Sequence, residues 1–162
     1  MKAIHLGLFF LFLVNRAVAQ ENTLEKVFAA EAIQIIKISS SIEQKALKRN
    51  NFNISPDVIS FDVYAQLLSV DRKLSNSVNS KDVVLRRDSA LMKFGGKLRF
   101  SHVKIFFSDV RDGEFFIEVI RMKSKNEFRY DKRPDFGMSE VFMFNIKDRK
   151  LNFVRSQKLS YM

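Results

Sequence analysis

The chain has 162 residues, with 28 Lys and Arg against 18 Asp and Glu, a formal net charge of +10, 17 Phe, no Trp and no Cys. That length suits one domain better than two. Without Cys there is no disulfide framework, no Cys nucleophile and no thiolate zinc site, so burial of apolar surface has to hold the fold.

At the start, Lys2 precedes an unbroken apolar run from Leu6 to Val14, closed by Asn15 and Arg16 and then by Ala17-Val18-Ala19 before Gln20. A positive start, a short apolar run and a small-x-small step predict a secretory signal peptide over residues 1–19, cut between Ala19 and Gln20. Nine apolar residues fall well short of the roughly 20 needed to span a bilayer, which disfavours an uncleaved anchor. No second long apolar segment follows, so no transmembrane segment is expected after cleavage, and the expected location is the periplasm or the medium. Loss of Lys2, His5 and Arg16 leaves residues 20–162 as a single domain with a net charge of +8 and one histidine, His102.

The first element of that domain reads as a helix. Asn22 and Glu25 have the spacing of a capping pair, and Leu24, Val27, Phe28, Ala32, Ile35, Ile38, Ile42 and Ala46 recur close to a 3.6-residue period. Lys45, Lys48 and Arg49 suit the negative end of the helix dipole, and Ile38-Ser39-Ser40-Ser41 is where a bend or break is expected. Ser55-Pro56-Asp57 then has the form of a second helix start, with Val58, Phe61, Ala65 and Leu68 on one face. Ile59, Phe61, Val63, Ala65 and Leu67 also alternate as in a strand, and the start signal favours helix. Residues 75–82 read as loop, and residues 82–94 as a short helix stopped by Gly95-Gly96.

Strands dominate the second half. Val103, Ile105 and Phe107 alternate within residues 102–110, Arg111-Asp112-Gly113 supplies a hairpin turn, and Phe115, Ile117 and Val119 alternate on the return. Phe142, Phe144 and Ile146 lead to a second turn at Asp148-Arg149, followed by Leu151 and Phe153. The expectation is an α+β domain: N-terminal helices packed on an antiparallel meander of about four strands. Amphipathic helices followed by a long curved sheet resemble the cone-shaped NTF2-like superfold and, to a lesser degree, the cystatin-like fold. The resemblance lies in element order over most of residues 20–162 and carries no functional residue across.

Catalytic residue types are scarce. A single histidine excludes the usual zinc spacings, and residues 109–114 lack the acid spacing of a calcium loop. No Gly-x-Ser-x-Gly elbow occurs, and Phe94-Gly95-Gly96-Lys97 lacks phosphate-loop spacing. His102 is the one weak catalytic candidate, as a general base oriented by Asp62 or Asp109 in a Phe-lined pocket, which defines the alternative of a small NTF2-like enzyme. The binding candidates are Lys123, Lys125, Phe128, Arg129, Tyr130, Lys132 and Arg133, where cations interleave with aromatic rings as anionic ligands favour. Export disfavours nucleic acid as that ligand.

The leading expectation is an exported, soluble, non-catalytic module that binds a protein partner or an anionic envelope component. No metal and no cofactor are expected. A third possibility is a subunit of an envelope assembly, which an exposed apolar patch or an unpaired edge strand would favour.

Overall fold

The architecture is that of a computed structural model, which describes residues 28–68, 83–95, 101–127, 129–132 and 137–161. The expected signal peptide with its cleavage site, the expected Asn22–Glu25 capping pair and the expected loop at 75–82 lie outside the described residues. The domain is α+β, with one mostly antiparallel sheet of six strands among the described residues.

The first helix, α1, covers residues 28–39 and ends where the serines predict a break. Ser40, Ser41 and Ile42 bend the chain, Glu43 takes a left-handed φ of 48°, and a short α2, Gln44–Lys48, follows. Ala29, Ala32, Ile33 and Ile36 of α1 and Leu47 of α2 are buried against one face of the sheet.

The expected helix at Ser55-Pro56-Asp57 is corrected. Those residues lie inside a strand, β1, Asn53–Ile59, in which every residue is buried. Antiparallel β2, Val84–Arg87, flanks it on one side and parallel β3, Val103–Ser108, on the other. A strand covered on both faces loses clean alternation, which removes the strand signature from the sequence. Pro56 cannot donate to a ladder and is tolerated because the β1–β3 register slips between Ile54 and Val58. There the Ser55 hydroxyl accepts the Asp57 amide at 3.2 Å, and Pro56 O accepts the Asp88 amide at 2.6 Å.

The helix comes one step later, as α3, Phe61–Leu68. Its first amide, that of Phe61, donates to Asp109 Oδ1. The expected helix over 82–94 is also corrected: it is β2 followed by a 3-10 turn, Ser89–Phe94, capped by Asp88 Oδ1 on the Ala90 amide. Gly95 has an ordinary φ of −66° and serves through size, since a Cβ there would stand 3.2 Å from Met92 O and 3.4 Å from Ile54 N.

The meander is present as four consecutive antiparallel strands: β3, β4 (Glu114–Arg121), β5 (Gly137–Lys147) and β6 (Lys150–Tyr161). The strand count is six rather than four because β1 and β2 join its β3 edge. Helices cover both faces rather than one. Phe115, Ile117 and Val119 of β4 join the α1 cluster, while Phe116 and Ile120 join Val63, Tyr64 and Leu68 of α3 on the other side. Among the described residues no helix is long and apolar enough to cross a membrane.

Candidate functional site

His102 immediately precedes β3 and is half-buried. Its Nδ1 lies 3.1 Å from Met122 O. It lines an open groove of about 430 Å³ with Ile42, Glu43, Arg121, Lys123 and Met138 among its walls. Among the described lining residues the one carboxylate, Glu43, is paired with Arg121 at 3.1 Å.

The two acids expected to orient His102 stand elsewhere. Asp109 follows β3 at its far end, about 20 Å away along a six-residue strand. It holds the Phe61 amide at the start of α3, and Asp62 holds Arg111. A general base needs its orienting group within hydrogen-bond reach, and neither acid comes within that reach of His102. Among the described residues no cluster of three or more His, Asp and Glu side chains has the geometry of a metal site.

The cation–aromatic candidates are divided. Lys123 and Lys125 are exposed, and Arg129 is exposed but paired with Asp131 at 2.6 Å. Tyr130 is 2% exposed, edge-on to Phe106 at 5.0 Å, with its amide donated to Asp57 Oδ2 at 2.9 Å. Its ring lies in the core. Phe128, Arg133 and the side chain of Lys132 lie outside the described residues.

Charge is also buried on the α3 face. Lys104 and Glu118 are both 0% exposed. Tyr64 donates its hydroxyl to Glu118 at 3.1 Å, and the Lys104 ammonium donates to Lys125 O at 2.6 Å. Burial pushes the Lys104 pKa down to about 8, opposed in part by the Glu127 carboxylate. These groups sit under α3 with protein partners, which is a structural arrangement.

The most unusual surface is β6. Among the described residues its 12 residues pair with β5 on one side only, at the end of the strand order. Nearly all its side chains are exposed, including Phe153 at 41% and Val154 at 45%. Phe153 rests its ring 5.8 Å from Phe144 and 6.2 Å from Phe142, continuing the apolar face outward. Register slips there, Met143 facing Arg155 and Phe144 facing Phe153, so Val154 is a bulge. Lys150, Arg155 and Lys158 make no ion pair among the described residues. The opposite edge, β2, has only four residues, and its Arg87 is paired with the buried Asp57 at 3.1 Å.

Sequence reasoning carries β6 only to Phe153, because Arg155 to Lys158 reads as polar. The available signal is compositional: residues 149–162 contain no Asp or Glu, and Leu159 and Tyr161 resume an alternation. Comparison with known proteins assigns no family: no family model, curated protein or solved structure matches the chain.

Proposed function

We propose that the chain is an exported, non-catalytic binding module whose partner is a protein, held by strand addition at β6. The observation that carries this is the outer edge of β6, unpaired among the described residues, a long row of backbone donors and acceptors with exposed side chains on both faces. An added strand gains main-chain hydrogen bonds along such an edge and specificity from alternate side chains. Globular proteins usually blunt a long edge by shortening or covering it. Here the lysines and arginine give some protection, while length and exposed Phe153 leave the edge available.

An NTF2-like enzyme would place its chemistry on the concave face of the sheet. In this chain Ala32, Ile33 and Ile36 of α1 pack with Ile105, Ile117 and Phe142 on one face of the sheet, and among the described residues His102 has no carboxylate partner. Both facts support binding over catalysis.

The test is photo-crosslinking in cells that make and export the protein. A photoreactive residue at Asn152, Val154 or Gln157 of β6 should yield one discrete protein adduct, and the same residue at exposed Lys45 or Lys93 should not. Adducts equally abundant at all positions, or none at any, would remove β6 as the docking edge.

A further inference from the structure

We infer that the segment received by β6 is an acidic, extended stretch of another protein. The inference rests on the strand-addition proposal above and adds the chemistry of the occupant. From Arg149 to Met162 the chain carries Arg149, Lys150, Arg155 and Lys158 and no Asp or Glu. Along β6 itself, Lys150, Arg155 and Lys158 make no ion pair among the described residues.

Register decides what kind of polyanion fits. Lys158 lies opposite Glu140, which reaches into the α1 side through Ser40 and Ser41, so Lys158 stands on that face. Arg155 lies opposite Met143, which packs with the α3-side cluster, so Arg155 stands on the other face. A flat anionic surface meets one face of a sheet at a time. A strand added alongside β6 sends alternate side chains to both.

A second copy of β6 is a poor occupant. In any pairing of β6 with itself its cations meet only cations or neutral residues, and like charges opposed across a ladder destabilise it. The Val154 bulge also fixes the spacing that a partner needs. Phe144 and Glu140, four apart on β5, face Phe153 and Lys158, five apart on β6, and Met143 beside Phe144 faces Arg155. A strand antiparallel to β6 and following the same register has a carboxylate opposite Lys158, a second three residues on opposite Arg155, and an apolar side chain next, against Phe153.

The probe is a Thr-rich peptide of roughly ten residues with Glu-Thr-Thr-Glu-Val at its centre, titrated into the purified full chain by fluorescence anisotropy. Two controls replace both Glu by Lys, or methylate alternate backbone amides of the Glu peptide. The Glu peptide is expected to bind about tenfold or more tightly than the Lys peptide, from two exposed ion pairs gained and two like-charge contacts avoided, and to weaken with added salt. Backbone methylation is expected to abolish binding. In the double variant Arg155→Glu, Lys158→Glu the preference should reverse towards the Lys peptide, an outcome that misfolding cannot imitate. Equal binding of Glu and Lys peptides would overturn the acidic partner and leave strand addition standing. Full binding of the methylated peptide would overturn both, in favour of a generic polyanion site. Failure of every peptide to bind would overturn the acidic partner: a dimer lost on Val154→Pro would then identify a second copy as the added strand, and a monomer would overturn strand addition as well.

Discussion

Glu140 Oε2 accepts the amide of Ser41 at 2.8 Å, tying β5 to the break between α1 and α2 across 99 residues of sequence. The same oxygen accepts the Ser40 hydroxyl at 3.0 Å, the Ser41 hydroxyl at 3.1 Å and the Ile42 amide at 3.3 Å, while Oε1 accepts the Ser156 hydroxyl at 3.1 Å. One buried carboxylate therefore fixes the end of α1, and joins β6 to β5 from the inner side. The outer edge of β6 is presented by a strand that is anchored from within.

Glu140→Ala strands two amides and the hydroxyls of Ser41 and Ser156, while the Ser40 hydroxyl keeps Ile42 O as an acceptor at 2.7 Å, and each buried unsatisfied group costs about 1–3 kcal/mol. Partial hydration of the bend reduces the total, and the expected loss is about 2–4 kcal/mol. Urea denaturation of the two proteins reads it as a lower midpoint at unchanged slope. A midpoint within error of the wild type would mean that the bend holds without its carboxylate.

Lys104 gives a pH signature. Its folded pKa of about 8 lies below the ordinary 10.5, so between those values the unfolded chain binds more protons than the native one. Stability contributed by this group therefore rises with pH across that window, and below about pH 8 the cost of the buried charge is present in full. Relative to Lys104→Met, the wild type should gain about 2 kcal/mol between pH 7 and pH 9.5. Paired denaturation curves at the two pH values give the difference directly, and groups common to both proteins cancel. A gap that stays constant would place the ammonium in contact with water in the native state.

The sequence disclosed those parts whose signals are local. Asp112-Gly113 marks its hairpin because few residue pairs accept two left-handed backbones, and the serines at 39–41 mark the end of α1 because they compete for backbone hydrogen bonds. Ser55-Pro56-Asp57 has equally good local chemistry for a helix start, yet burial between β2 and β3 makes it strand, a tertiary effect that no local pattern carries. Tyr130 stands between exposed charged neighbours and is buried by α3 and β3, which are distant in sequence. The edge position of β6 follows from strand order, which periodicity does not encode, and only the missing acids of residues 149–162 hint at it.

Asp109 and His102 separate a structural acid from an imidazole whose partner among the described residues is a main-chain carbonyl. Asp109→Ala removes the acceptor for the Phe61 amide and is expected to cost about 1 kcal/mol, as loss of a helix-start acceptor does. Amide hydrogen exchange should accelerate at Phe61 in particular. His102→Ala should change stability by less than about 0.5 kcal/mol, since its one bond is to a carbonyl at the wall of an open groove. A larger loss for His102→Ala than for Asp109→Ala would reverse these roles.

The two hairpins make opposite predictions for glycine. Asp112 and Gly113 take φ of 52° and 78°, between Arg111 and Glu114, which exchange backbone hydrogen bonds at 2.9 and 2.8 Å. A Cβ on Gly113 meets Ile146 O at 3.0 Å, so Gly113→Ala combines left-handed strain with a backbone clash and should cost about 1–2 kcal/mol. Asp148 and Arg149 adopt φ of 52° and 58° with side chains at both positions, where a two-residue turn of this hand prefers Gly second. Arg149→Gly relieves that strain and, after the entropic cost of a glycine, should stabilise by about 0.5–1 kcal/mol. Thermal midpoints of the two variants should move in opposite directions from the wild type. A fall in both would show that the Arg149 side chain contributes contacts that outweigh its backbone strain.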